Sequence, residues 1–303
     1  MQENKDLEII IPTFNRSGIL KQTLQNLLNS PVRNCQITIL DNNSTDDTCS
    51  YIQTLLSNYS NLRYIRNRYN LGLAGNFCKG MMLPTKKYFW LISDDTLLDF
   101  THWEELQKAL QQDFDVLLTL NYYQVTGCKN VTDKANIILM LIWMFSGIFK
   151  TELLSDDIIL KALTDIYTVH PQIPLIAKAV TRENIYIPKY SITKPQTNIE
   201  IKEGKKYSFN RNDKFFHFRI SQPMNFLPGF LNAVESIEDQ KLKKECINLI
   251  FKYKIVKYSR AHFRQNPYHK VTFCDTLLLL PLRQKFSFLM CALRYYLSCL
   301  FLR

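Results

Sequence analysis

Glycine and histidine are both scarce in this chain, at 8 and 5 of 303 residues. Little glycine beside many Lys, Asn and Ile leaves no low-complexity segment, and no internal repeat is present, which argues against fibrous and solenoid architectures. The eight cysteines (35, 49, 78, 128, 246, 274, 291, 299) include no Cys-x-x-Cys pair and keep no zinc-like spacing with the histidines. That pattern excludes a structural zinc site and leaves reduced, mostly buried thiols as the expectation. Charge-free runs are short. Ala135–Phe149 is uncharged for 15 residues, below the roughly 20 that a spanning helix needs, so a buried helix running into a strand at Gly147–Phe149 is expected. The opening residues, MQENKDLE, are polar and acidic where a secretory signal would be basic and then apolar, so a cytosolic chain is expected.

A net charge of +11 resembles a nucleic-acid signal until it is located. Residues 241–303 hold 13 Lys and Arg against Glu245 and Asp275, which accounts for the whole excess. Residues 1–240 balance to zero. A neutral body with a basic appendix points to attachment at an acidic surface and away from a basic cleft for nucleic acid.

At 46% hydrophobic, the chain can bury a sizeable core. Strand and helix signals alternate through its first half. Strands are expected at Leu7–Pro12, Gln36–Leu40, Leu62–Arg66, Tyr88–Ile92 and Val116–Leu120. Between them the spacing predicts a helix over Ser17–Asn29, with Leu20, Leu24, Leu27 and Leu28 on its apolar face. A second helix follows to Leu56, with Ser44 or Thr45 as its N-cap. A third is expected around Ala74–Met82, and a fourth after Thr101 with Trp103, Leu106 and Leu110 inward. Such alternation gives an α/β fold, a Rossmann-like and mainly parallel sheet flanked by helices. A catalytic domain over 1–204 and a helical, basic C-terminal region over 205–303 complete the expected organisation.

Chemistry concentrates where those strands end. Ser93-Asp94-Asp95 follows an apolar strand directly, at the carboxyl edge where open α/β sheets bind ligands. Paired carboxylates there call for a positive partner, and a hard divalent cation carrying phosphates is the usual one. Asp41 ends the second strand, where it can accept a hydrogen bond from a base N–H or, with Asn43, cap a turn. Asn70-Leu71-Gly72 precedes a helix whose N–H groups can face a pyrophosphate, with Gly72 allowing close approach. Asn76 lies one turn further on, either as a further contact or as a surface residue.

Four segments thus occur in order: IIIPTFNR (9–16), LDNNSTDDT (40–48), RYNLGLAGN (68–76) and WLISDDT (90–96). Together they resemble the family 2 glycosyltransferases of the GT-A fold, over about the first 125 residues. The resemblance implies an inverting transfer from a nucleoside-diphosphate sugar to a glycan or lipid-linked acceptor, in bacterial capsule or lipopolysaccharide synthesis. It implies base and ribose contacts for Thr13 and Asn15 in the loop from Pro12, with Arg16 nearer the diphosphate and Asp41 on the base. It assigns Asp94 to the ribose and Asp95 to Mg²⁺ or Mn²⁺. Ser93 departs from the pattern, since many relatives carry an acid there.

Inversion requires a general base, and the family's usual acidic motif has no match in this chain. Asp165 and His170 are the candidates. His170 has a suitable unperturbed pKa, although an ordinary structural histidine fits equally. Asp156 and Asp157 read instead as the start of a helix. Over Phe286–Phe301 the apolar positions 286, 289, 290, 293, 297, 300 and 301 share one helical face. That amphipathic helix either lies peripherally on an anionic membrane, on the inner face of the cytoplasmic membrane, or packs on the catalytic domain. Two other functions are weaker fits. A sugar-nucleotide pyrophosphorylase-like nucleotidyltransferase needs a Gly-rich basic loop that PTFNR lacks. A non-enzymatic nucleic-acid binder would use the basic tail, but no binding motif supports it.

Overall fold

The computed structural model describes residues 5–121, 123–142, 146–164, 166, 170–193 and 234–253, and nine further positions between 277 and 297. A seven-stranded sheet forms its centre. The strands are β1 (Leu7–Thr13), β2 (Gln36–Asp41), β3 (Leu62–Arg66), β4 (Tyr88–Leu91), β5 (Val116–Leu118), β6 (Gly147–Lys150) and β7 (Ile185–Tyr186). The helices are α1 (Ser17–Leu28), α2 (Thr48–Leu56), α3 (Gly72–Met81), α4 (Trp103–Leu110), α5 (Val131–Leu141), α6 (Asp156–Thr164), α7 (Ile173–Thr181) and α8 (Gln240–Tyr253). Across the sheet the order is β3-β2-β1-β4-β6-β5-β7. Only β6 runs against its neighbours; it pairs antiparallel with both β4 and β5.

β1 is buried at every position because helices cover both sheet faces, which is why its sequence reads as a continuous apolar run. Side chains alternate between the two faces. Ile10, Phe89, Leu91, Val116, Leu118 and Phe149 pack with residues of α3, α5, α6, α7 and α8. Leu7, Ile9, Ile11, Trp90 and Ile148 pack with α1 and α4 on the other face. Burying one such aliphatic or Phe side chain stabilises by roughly 2 kcal/mol. Phe89 stacks on its cross-strand partner Phe149 at 5.8 Å between ring centres, and Trp90 of the sheet on Trp103 of α4 at 6.5 Å, which ties those two layers. Glu8 is the one acid within β1. Its carboxylate accepts the backbone N–H groups of Thr85 and, at 2.7 Å, Lys86, so it fixes the turn into β4.

The expected strands and helices of the first half are present, most within two residues of their expected ends. One expectation is corrected. Ser44 and Thr45 do not cap α2, which begins at Thr48. Asp47 is the N-cap residue and makes no side-chain capping bond; Asp46 before it accepts from the backbone N–H of Thr48 at 3.1 Å and from its hydroxyl at 2.6 Å. The same carboxylate accepts the Ser17 N–H at 2.9 Å and so satisfies the first N–H of α1. Burial pushes the Asp46 carboxyl up, but the hydrogen bonds from Thr48 and Ser17 outweigh it and hold it below the usual range. In the second half α5 leads towards β6 as expected, with Gly147 closely packed: a Cβ there would lie 2.4 Å from Leu141 Cδ2. The boundary expected near 205 lies outside the described residues.

Candidate active site

Parallel pairing brings the strand ends into a row. Register aligns Thr13 with Asp41, and Asp41 with Arg66, across β1, β2 and β3. On the other side Ile10 aligns with Leu91, so Thr13 and Asp94 each stand three residues beyond an aligned pair. They meet there. Thr13 Oγ1 donates to Asp94 Oδ2 at 2.7 Å, and Thr23 of α1 donates to the Asp94 carbonyl at 2.6 Å.

Arg16 bridges the two adjacent carboxylates. Its guanidinium reaches Asp94 Oδ1 and Asp95 Oδ2 at 2.6 Å each, a fork that matches a pair of acids better than a single ammonium would. Ser93 Oγ donates to the other Asp95 oxygen at 2.5 Å. The acids differ in access, since the Asp94 side chain is 4% exposed and that of Asp95 18%. Burial pushes the Asp94 carboxyl up to about 6, with Arg16 working against that shift and the Asp95 charge adding to it.

Asp41 is fully buried at the end of β2. Its Oδ1 accepts the Ser44 N–H at 2.9 Å, and its Oδ2 accepts from the Tyr64 hydroxyl at 2.6 Å. Arg66 Nε lies 3.7 Å from the same oxygen and its guanidinium donates to the Ser44 carbonyl at 2.8 Å. Burial, followed by the hydrogen bond to Asp41, raises the Tyr64 pKa, which keeps the phenol protonated as a donor. The loops after β1 and β2 lock together: Asn15 N–H donates to Ser44 Oγ at 2.9 Å, and Thr45 N–H to Asn15 Oδ1 at 2.7 Å. Asn15 and Asn43 both turn through positive φ, 52° and 67°, a conformation asparagine tolerates better than most residues.

The Asn-x-Gly segment sits in a network of amides. Asn42 Nδ2 donates to Asn70 Oδ1 at 2.7 Å, while Asn42 Oδ1 accepts the Leu71 N–H at 2.8 Å. Asn70 Oδ1 also accepts the Gly72 N–H at 2.8 Å, and Gly72 stands at φ 74°, where a side chain is strained. Asn76 is buried, not on the surface; its amide accepts from Asn67 at 2.8 Å and donates to the Leu40 carbonyl at 3.2 Å. Lys79 Nζ donates to Asn67 Oδ1 at 2.7 Å. Two of the N–H groups at the start of α3 are thus taken by asparagine side chains.

Pro12, Thr13, Asn15, Arg16, Asp41, Asn43, Asn70, Gly72, Asn76, Asp94 and Asp95 therefore lie along one sheet edge. His170 is 5% exposed in the loop before α7, and Asp165 lies outside the described residues. Asp156 and Asp157 occupy the first turn of α6, and Asp157 pairs with Lys161 at 3.2 Å. Sequence reading passed over Tyr64, Arg66, Asn42, Asn67 and Thr23. Signals existed for three of them: strand alternation puts Tyr64 and Arg66 on one face of β3, and Thr23 is polar on the apolar stripe of α1.

Among the described residues no three of His, Cys, Asp and Glu cluster to hold a metal. The donor set at the edge still fits a hard cation. Asp95 is the more exposed acid and offers oxygen alone, as Mg²⁺ or Mn²⁺ prefer when phosphates and waters complete the shell.

Several known proteins are similar to this chain. The chain is 32% identical over 105 residues to a Campylobacter jejuni GalNAc(5)-diNAcBac-PP-undecaprenol β-1,3-glucosyltransferase, covering 34% of each chain. It is 33% identical over 128 residues to the abequosyltransferase RfbV of Salmonella typhimurium, covering 41% of this chain and 38% of that one. These matches thus span under two-fifths of the curated relatives' lengths. The fold matches Staphylococcus aureus TarS 1–349 in complex with UDP-GlcNAc at a TM-score of 0.59 and 14% identity, over 92% of this chain and 82% of that one. A Pyrobaculum calidifontis mannosyltransferase solved with GDP-Man and Mn²⁺ matches at a TM-score of 0.52 and 14% identity, over 98% and 81%. The sequence model described as glycosyl transferase family 2 matches residues 8–166, more than half of the chain, and the chain belongs to that family.

Proposed function

We propose that this chain transfers a sugar, with inversion, from a nucleoside-diphosphate donor to a glycan or lipid-linked acceptor in surface-glycan synthesis. One observation carries the reading: four consecutive loops meet at one edge, with Asp41 in register with Thr13 and with Asp94 and Asp95 bridged by Arg16. The acceptor class draws support from the polyprenol-linked substrate in the Campylobacter relative's name.

In this reading the base is received beside Asp41. Tyr64 and Arg66 hold that carboxylate in place, so its remaining lone pairs can accept from a base N–H. Pro12, Thr13, Asn15 and Asn43 shape the base and ribose pocket, and Asp94 orients the ribose. The asparagine network with Asn70, Gly72 and Asn76 fixes the backbone on the pyrophosphate side. Asp95 would hold Mg²⁺ or Mn²⁺. When bound, that ion offsets the charge developing on the departing nucleoside diphosphate. Arg16 turns from Asp95 towards the diphosphate and supplies a second positive charge.

His170 is the proposed general base, taking the acceptor hydroxyl's proton, with Asp165 as the alternative. If His170 has this role, His170→Gln removes the acidic limb of the pH–rate profile; an unchanged profile transfers the role to Asp165. The tail makes a peripheral contact with an anionic membrane on the cytoplasmic side. Release of free nucleoside diphosphate from a panel of donors, with and without Mn²⁺, tests the whole reading. Donor-selective, metal-dependent release supports it, and no release from any donor contradicts it.

A further inference from the structure

We infer that the chain docks on an anionic bilayer through an outward-facing apolar stripe carried by residues between Leu282 and Leu297. The described positions between 277 and 297 are all helical. At about 100° per residue, Leu282, Phe286, Leu289, Met290, Leu293 and Leu297 fall within an arc of about 100°. All six are exposed, from 37% for Met290 to 85% for Leu282. Phe288 falls on the opposite side by the same spacing, and Leu277 precedes it in the chain. Both pack on the core cluster that holds α5 and α8, and Phe288 is wholly buried. This segment is held to the body by one face and offers an apolar face outward.

Six large apolar side chains in one exposed stripe exceed the scattered single residues of an ordinary surface. Charge selects the occupant. The +11 excess of the chain lies entirely within 241–303. Lys241 and Lys244 of α8 are exposed, and Lys285 adjoins the stripe on the helix. An exposed apolar face within a strongly basic stretch of sequence is the pattern of a helix lying in the interface of an anionic leaflet, where burial and surface potential add. No helix among the described residues is long and apolar enough to cross a membrane, so the contact is peripheral. The inference rests on the lipid-linked-acceptor reading for its purpose: it would bring the sheet edge to a substrate anchored in the same leaflet.

The test uses the full chain and vesicles of phosphatidylglycerol and phosphatidylcholine, with pure phosphatidylcholine as control. Co-sedimentation with anionic vesicles, weakened at least tenfold by high salt and at least tenfold by the double substitution Leu289→Glu and Leu293→Glu, is expected. Thermal melting and nucleotide affinity of that variant are expected to match the unsubstituted chain, which separates lost docking from lost folding. Equal binding of the variant, or no binding of either protein to anionic vesicles, overturns the inference. So does a dimer in analytical ultracentrifugation that the double substitution splits, because the stripe would then face a second copy. Nucleotide binding that persists without vesicle binding sinks the docking alone and leaves the transferase reading standing.

Discussion

The two halves of the sheet are built for different ends. On the β3-β2-β1-β4 side every strand is parallel, and the carboxyl ends carry Arg66, Asp41, Thr13 and the Asp94-Asp95 pair. On the β6-β5-β7 side an antiparallel strand interrupts the order. There α5 and α7 bury Ile137, Ile138, Leu139, Leu175 and Ile176 almost completely. Polar groups in the first half are paired with one another at the edge; the second half contributes apolar bulk. In this sheet the parallel strands end together and bring their polar loops to one edge, whereas the reversed strand serves mainly packing.

Four substitutions sharpen that contrast. The largest effect is expected from Asp95→Asn, which should lower transfer about a thousandfold with the melting temperature unchanged. Turnover near that of the unsubstituted chain would break the division. Phe149→Ala, in the reversed strand, should do the opposite. Chemical denaturation is expected to show a loss of about 3–5 kcal/mol, with nucleotide affinity of the folded protein retained. Tyr64→Phe removes one donor to buried Asp41 and should weaken nucleotide binding about tenfold, at roughly 1 kcal/mol of stability; calorimetry and denaturation measure the two. The smallest effect belongs to Asp113. Hydrogen bonds from Lys87 and Lys150 hold its carboxyl down at about 2. A folded value below the unfolded one, roughly 3.9, contributes stability that is present above that pH and lost as pH falls towards about 2. Asp113→Asn should flatten this acid limb only slightly, because the group is exposed and screened.

Much of the first half was legible in the sequence for a physical reason. Strands buried on both faces read as apolar runs, and an acid directly after such a run must lie at the edge. Asp41 and Asp94-Asp95 were found in this way, along with helix α4 through Trp103, Leu106 and Leu110. Strand direction was not legible, since an apolar run such as Gly147–Phe149 looks alike in either sense, and β6 was expected without its reversal. Long-range polar pairing was equally hidden. Tyr64 on Asp41 and Asn67 on Asn42 join residues whose partners only the finished sheet brings near. Asp46 shows the local limit: Ser44 and Thr45 are good caps by type, but the neighbouring loop claims both.

The most direct measurement is calorimetric titration of UDP, GDP and dTDP into the full chain with Mn²⁺. The account predicts saturable binding of at least one of them at one site per chain, weakened at least tenfold by EDTA and by Asp95→Asn. Absence of affinity for all three, or binding indifferent to both the metal and that carboxylate, would contradict it.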